Sequence, residues 1–147
     1  MKVPELLSPA GDPERLRMAV AFGANAVYLA GRQYGMRGGV NNFTIPELRE
    51  AVQLCHANGV RVHVTVNTLP REDELTPLPE YLETLQDTGA DVLILADLGV
   101  FRMAQKYAPK MQKHISTQTG IVNSASASAW YDLGASRVVL ARELSLK

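Results

Sequence analysis

The sequence has a single cysteine, no net charge and no long hydrophobic run, and each of these shortages argues against a class of protein or partner. The single cysteine, Cys55, cannot form an internal disulfide or a multi-cysteine metal site. No apolar stretch approaches the roughly 18 residues that cross a membrane, so we expect no membrane partner. The 15 basic and 15 acidic residues cancel, so net charge does not draw the whole chain to nucleic acid. The first five residues carry no apolar signal segment, and the expected location is cytoplasmic.

A junction of glycine, alanine and a short apolar run recurs along the chain. Residues 23–30, 89–97 and 134–141 each begin with Gly-Ala and continue into an apolar run, and residues 58–67 are a looser copy. A glycine at such a junction can take the left-handed conformation that ends a helix. Short and nearly continuous apolar runs are typical of parallel strands that are covered on both faces.

Helices are predicted between these strands from their capping residues. Asp12 followed by Pro13 predicts one helix start, because proline lacks only an N–H that the first turn leaves unpaired. Thr44 and Glu47 have the spacing of a capping box, which predicts a second start. Further helices are expected over 79–88, over 98–108 and after Asn123.

Strict alternation of strands and helices predicts a parallel sheet. Adding strands at 5–7 and 114–118 gives six strands with five helices between them. Two α/β architectures fit this pattern: an open doubly wound sheet, and a (β/α)8 barrel of the TIM type. The pattern alone does not decide between them.

Polar residues follow the predicted strands at their carboxyl ends, which form the working edge in both architectures. Carboxylates there suit general acid–base chemistry or a divalent metal, and a neighbouring arginine can set their protonation. The catalytic candidates of this kind are Asp97, Glu143, Arg142 and Glu5. Glu5 belongs to this set as an interior-facing residue of the first predicted strand.

Amide, hydroxyl and guanidinium groups at the same edge are candidates for substrate binding. Asn67, Ser116 and Gln118 end predicted strands. Arg37 and Asn42 lie in the long loop over 32–43, where Arg37 could hold an anion. No Gly-x-Ser-x-Gly elbow surrounds Ser116, so we expect hydrogen bonding from it rather than nucleophilic attack. Cys55 falls on the apolar face of its helix and is expected to be inert core.

Several segments together resemble peptidase family U32. These are residues 5–12, 23–28, 36–37, 42–43, 65–68, 96–99, 116–118 and 140–145. The resemblance implies the (β/α)8 barrel, of which six units are present, so that residues 1–147 read as the N-terminal portion of a truncated barrel domain. The family positions that it carries over are Glu5, Arg37, Asn42, Asn67, Asp97, Ser116, Gln118, Arg142 and Glu143, without assigning their roles.

The resemblance implies a peptidase first, with rim carboxylates activating water directly or through a divalent metal. The alternative is a factor that hydroxylates RNA bases or a quinone ring with an iron–sulfur cluster, whose cysteines would lie beyond Lys147. A third hypothesis is that the chain is a catalytically inert folding module, which self-associates through the open edges of its sheet. The substrate, peptide or RNA, and the cofactor stay undecided at this point, although no such cluster can form on one cysteine.

Overall fold

The computed structural model describes residues 3–36 and 42–145, in which strands and helices alternate. The strands are β1 Leu7–Pro9, β2 Ala26–Ala30, β3 Arg61–Val66, β4 Val92–Leu95, β5 Gln112–Ile115 and β6 Arg137–Val138. The helices are α1 Pro13–Ala21, α2 Ile45–Ala57, α3 Leu78–Asp87, α4 Leu98–Tyr107 and α5 Ser124–Asp132. Short 3₁₀ turns at Glu72–Glu74 and Thr117–Thr119 follow β3 and β5. No helix in the described ranges is both long and apolar enough to span a bilayer.

The order of the strands decides the architecture. All six are parallel, in the order β1-β2-β3-β4-β5-β6, so each crossover moves the chain one strand further in the same direction. A doubly wound sheet reverses that direction at a switch point, whereas the wall of a barrel does not. The chain therefore forms a half-barrel of the (β/α)8 type, which confirms the barrel prediction over the open sheet.

Alternate strand residues face the helices or the concave side of the half-barrel. On β3, Val62 and Val64 are fully buried in the core that includes Leu48 of α2 and Leu82 of α3. Thr65 points the other way and lines a cavity on the concave side. Each buried aliphatic side chain stabilises the wall by about 2 kcal/mol, and the concave side is left to carry polar groups.

The predicted helix starts are confirmed by their caps. The Asp12 carboxylate accepts a hydrogen bond from the Arg15 N–H at 2.8 Å. Thr44 and Glu47 form the complete capping box at the start of α2. Each cap satisfies an N–H that the first helical turn leaves free, which contributes about 1 kcal/mol.

The first strand begins later than predicted, and this moves Glu5. Because β1 starts at Leu7, Glu5 precedes the strand and lies at the N-terminal end of the sheet, opposite the expected working edge. There its carboxylate accepts a hydrogen bond from Arg137 of β6 at 2.6 Å and lies 3.8 Å from Arg61 of β3. The two guanidinium groups, Arg137 foremost, lower the pKa of Glu5. Glu5 therefore bridges the first and last strands instead of joining the rim.

Candidate functional site

A cavity of about 580 Å³ opens at the carboxyl ends of the strands, on the concave side of the half-barrel. We call it the rim pocket. Four of the five residues predicted to bind substrate line it, namely Asn42, Asn67, Ser116 and Gln118. The fifth, Arg37, lies outside the described residues. These four polar residues are far apart in the chain and meet at one pocket.

Met36 and Asn42, in the described parts of the loop after β2, belong to one wall of the rim pocket. Two tyrosines attach the first part of this loop to neighbouring segments. Tyr34 donates its hydroxyl proton to the Glu74 carbonyl at 2.7 Å, and its ring lies 5.3 Å from the ring of Tyr81. Tyr81 in turn donates to the Gln33 carbonyl at 3.2 Å. Gly31 has no room for a Cβ atom because the Tyr81 hydroxyl occupies that place. We call Tyr34, Tyr81 and Gly31 the tyrosine clamp.

The tyrosine clamp fixes the position of Asn67. Tyr34 has φ of 57°, a left-handed conformation that is uncommon for a residue with a bulky side chain. In this conformation its carbonyl accepts hydrogen bonds from the Asn67 N–H at 2.9 Å and the Thr68 N–H at 3.2 Å. The Asn67 side-chain oxygen accepts from the Met36 N–H at 3.2 Å. The strained backbone of Tyr34 thus holds one polar residue of the pocket in place.

The opposite wall of the rim pocket comes from the 3₁₀ turn after β5. This turn replaces the last part of the strand predicted over 114–118. The Ser116 N–H donates to the Leu95 carbonyl at 2.7 Å, which anchors the turn to β4. The Ser116 hydroxyl caps the turn by accepting from the Gln118 N–H. The Gln118 amide contacts the sulfur of Met36, so the two walls meet across the pocket.

Among the lining residues that sequence reasoning missed, three could contact a ligand through an aromatic, aliphatic or cationic side chain. Tyr28 and Ile94 lie on the concave faces of β2 and β4, and Arg15 lies in the first turn of α1. Tyr28 and Ile94 are inside strands rather than at their ends, so a search for polar strand ends passes over them. Arg15 pairs with Asp12 at 3.3 Å and is the cationic group at the pocket among the described residues.

The predicted catalytic residues are not brought together at the rim pocket. Asp97 is the N-cap of α4, where its carboxylate accepts from the Val100 N–H at 2.8 Å. Arg142 and Glu143 lie in an exposed turn after β6 and do not line the cavity. Glu5 is at the other end of the sheet, as described above. The polar groups that line the cavity are suited to hydrogen bonding, and the roles predicted for these four residues stay predictions.

The described residues do not fit a metal centre or an iron–sulfur cluster. Within residues 3–36 and 42–145, no three histidine, cysteine, aspartate or glutamate side chains gather closely enough to hold a metal ion. Cys55 is fully buried, which raises the pKa of its thiol to about 11 and disfavours the thiolate that a metal requires. Its prediction as inert core agrees with this environment.

Two histidines occupy the interior of the half-barrel beneath the rim pocket. His63 and His114 are buried, and their ring centroids lie 5.0 Å apart. Burial lowers the pKa of His63 to about 4 and that of His114 to about 3, so both rings are uncharged at neutral pH. Neither ring nitrogen of His63 has a partner among the described residues.

The fold and the rim pocket together define a protein of the (β/α)8 barrel class with a pocket at the carboxyl ends of its strands. The model of peptidase family U32 matches residues 11–147. The chain belongs to this family.

Three individual comparisons refine this assignment. The chain is 39% identical over 144 residues to tRNA hydroxylation protein P1 of Bacillus subtilis (strain 168). The aligned segment covers 98% of this chain and 34% of that protein. It is 38% identical over 142 residues to a 23S rRNA 5-hydroxycytidine synthase of Escherichia coli (strain K12), covering 97% of this chain and 21% of that protein. A solved structure of a U32 peptidase superposes with a TM-score of 0.76 at 15% identity, over 95% of this chain and 59% of that chain, which supports the fold alone. The chain spans about a third of the length of the tRNA hydroxylation proteins that it matches.

Proposed function

We propose that this chain supplies the base-binding pocket of an RNA hydroxylation factor. The observation that carries the proposal is its similarity, over nearly the whole chain, to proteins named for hydroxylating tRNA and rRNA. The names of these relatives favour the hypothesis of RNA hydroxylation over the hypothesis of peptide hydrolysis. The substrate would then be an RNA base rather than a peptide bond.

The chemistry of the rim pocket supports a base as its ligand. The side-chain amides of Asn42, Asn67 and Gln118 each carry both donors and an acceptor, as the edge of a nucleobase does. Tyr28 adds an aromatic ring to the lining, against which a planar base can pack. A volume of about 580 Å³ lies within the usual range of small-molecule pockets. A base would enter it after leaving its stack, as enzymes that modify bases require.

The proposal is tested by measuring hydroxylated nucleosides in tRNA. A bacterial strain that lacks its own tRNA hydroxylation protein is complemented with the full gene that encodes this chain. Digested tRNA is then examined by mass spectrometry for nucleosides that have gained one oxygen atom. We expect the gain to return with the natural gene and to fall at least about tenfold with Gln118→Ala, the loss that corresponds to about 1.4 kcal/mol of binding.

The matched control is Gln53→Ala, which removes the same side chain from an exposed position on α2. This variant should restore hydroxylation as well as the natural gene does. If the natural gene restores no hydroxylated nucleoside in tRNA or rRNA although the protein accumulates, the proposed function is wrong.

The name of the family favours peptide hydrolysis as a second candidate function. Its test is incubation of the full-length protein with gelatin and with unstructured peptides, with and without a chelator. Since Asp97 caps α4 and Glu143 lies outside the rim pocket, we expect no cleavage. Cleavage that Asp97→Asn and Glu143→Gln abolish would instead support the peptidase function.

A further inference from the structure

The two interior histidines form a layer directly beneath the rim pocket. His63 lies on β3 and His114 on β5, with β4 between them, yet their rings contact each other edge to face at 89°. Side chains from strands separated by a third strand meet in this way only on the concave face of a curved sheet. The next residues on the same strand faces, Thr65 and Ser116, line the rim pocket.

His63 has no hydrogen-bond partner within the described part of the chain. His63 is fully buried, and within the described residues neither of its ring nitrogens is exposed to solvent or hydrogen-bonded. Interior layers of such barrels are usually filled by branched apolar side chains, which need no partner. A buried polar group without a partner destabilises a protein, so nearly all such groups are paired. The two nitrogens of His63 therefore call for a partner that the described residues do not supply.

The charged groups around the imidazoles are already engaged. Glu5 accepts from Arg137 and faces Arg61, which also donates to Gln112 at 2.9 Å. The carboxylate of Asp91, on the segment before β4, accepts from the Val62 N–H at 2.7 Å and pairs with His56 at 3.0 Å. These groups satisfy one another at the N-terminal end of the half-barrel.

The missing partner must match an uncharged imidazole. A neutral ring has one N–H donor and one acceptor nitrogen, so its complement is an atom that both accepts and donates. A hydroxyl oxygen or a water oxygen meets this requirement, and water commonly fills it at buried polar sites.

We propose that His63 binds a neutral hydroxylic oxygen in the interior of the half-barrel, beneath the rim pocket. The oxygen belongs either to an ordered water or to a hydroxyl group of the molecule that occupies the pocket. The site lies beneath the rim pocket and stands independently of the proposed function.

The first test is direct observation of the site in the full-length protein. We expect a crystal structure at high resolution to show an oxygen within hydrogen-bonding distance of a His63 ring nitrogen. In nitrogen-15 NMR, His63 should show one neutral tautomer with hydrogen-bonded ring nitrogens through neutral pH. His56, whose ring is exposed on α2, is the internal reference for the ring-nitrogen signals. A dry His63 ring, with the nitrogen shifts of free imidazole, would overturn the proposal.

The second test is substitution, and it separates the two sources of the oxygen. His63→Leu should lower the melting temperature if the oxygen bridges His63 to the pocket floor, because the remaining partners lose it. The same variant should raise the melting temperature if the His63 nitrogens are simply unpaired, which would contradict the proposal. Adding uridine, an uncharged nucleoside with three hydroxyl groups, should shift the His63 nitrogen signals if the ligand supplies the oxygen. The signals should stay unchanged on binding if a resident water supplies it.

Discussion

Adding one methyl group inside the tyrosine clamp gives a sharp test of how the pocket wall is held. In Gly31→Ala, the new Cβ atom would overlap the hydroxyl of Tyr81, which is itself buried. Gly31 does not have a positive φ, so alanine is strained there only by this overlap. Overpacking of this kind costs about 1–3 kcal/mol of unfolding free energy.

The matched variant removes the obstacle and leaves the ring in place. Tyr81→Phe loses one hydrogen bond to the Gln33 carbonyl, at 3.2 Å, and should cost about 1 kcal/mol. In the double variant, the nearest remaining atom of the ring lies 3.4 Å from the Cβ of residue 31, which is an ordinary contact. The double variant should therefore be more stable than the sum of the two single changes predicts, by about 2 kcal/mol.

Urea unfolding followed by circular dichroism measures the three free energies. A coupling of about 2 kcal/mol between Gly31→Ala and Tyr81→Phe supports the clamp, since only direct contact couples residues this strongly. Additive effects, within about 0.5 kcal/mol, would show that the Tyr81 hydroxyl does not fill the space beside Gly31 and would refute the reasoning.

Three other predictions follow from the structure. Because burial lowers the pKa values of His63 and His114, the folded state binds fewer protons than the unfolded state below pH 6.5. Stability should fall by about 3 kcal/mol as the pH drops from 6.5 to 4, from His63 alone, measured by urea unfolding across that range. Asp97→Ala should lower the free energy of unfolding by about 1 kcal/mol, whereas Asp97→Asn should hardly change it, because asparagine also caps helices. If a stable Asp97→Asn variant loses RNA hydroxylation, the carboxylate has a chemical role. The open edges of β1 and β6 should cause association at micromolar concentration, and a clean monomer in sedimentation would contradict this.

Local signals in the sequence were sufficient for much of the fold. The caps at Asp12 and Thr44 act within four residues of themselves, so their side chains alone mark where α1 and α2 begin. The apolar runs likewise identify buried strands. Strand order cannot be predicted from such local signals. The same alternation of strands and helices fits a barrel and an open sheet until the pairing of β1 through β6 is known.

The candidate site was predictable where polar residues end strands and not where distant residues meet. Asn67 and Gln118 follow apolar runs, and the parallel arrangement brings such ends together. Tyr34 contacts Tyr81 across a sequence separation that no local pattern records, and its left-handed backbone depends on that contact and its neighbours. Glu5 was predicted as an interior-facing residue of the first strand, but β1 starts two residues later than expected, so its carboxylate lies before the strand at the N-terminal end of the sheet.

The ion pair between Glu5 and Arg137 changes how the half-barrel should come apart. Each strand pairs only with its neighbours in sequence, so without this contact the sheet would be a linear array that could fray from either end independently. The pair joins residues 132 positions apart and links the two ends of that array. Opening at β6 then releases the segment before β1 as well. The hydrogen-exchange rates of backbone amides in β1 and β6 should therefore change together when conditions are varied. In the Glu5→Gln variant the two sets of rates should change independently.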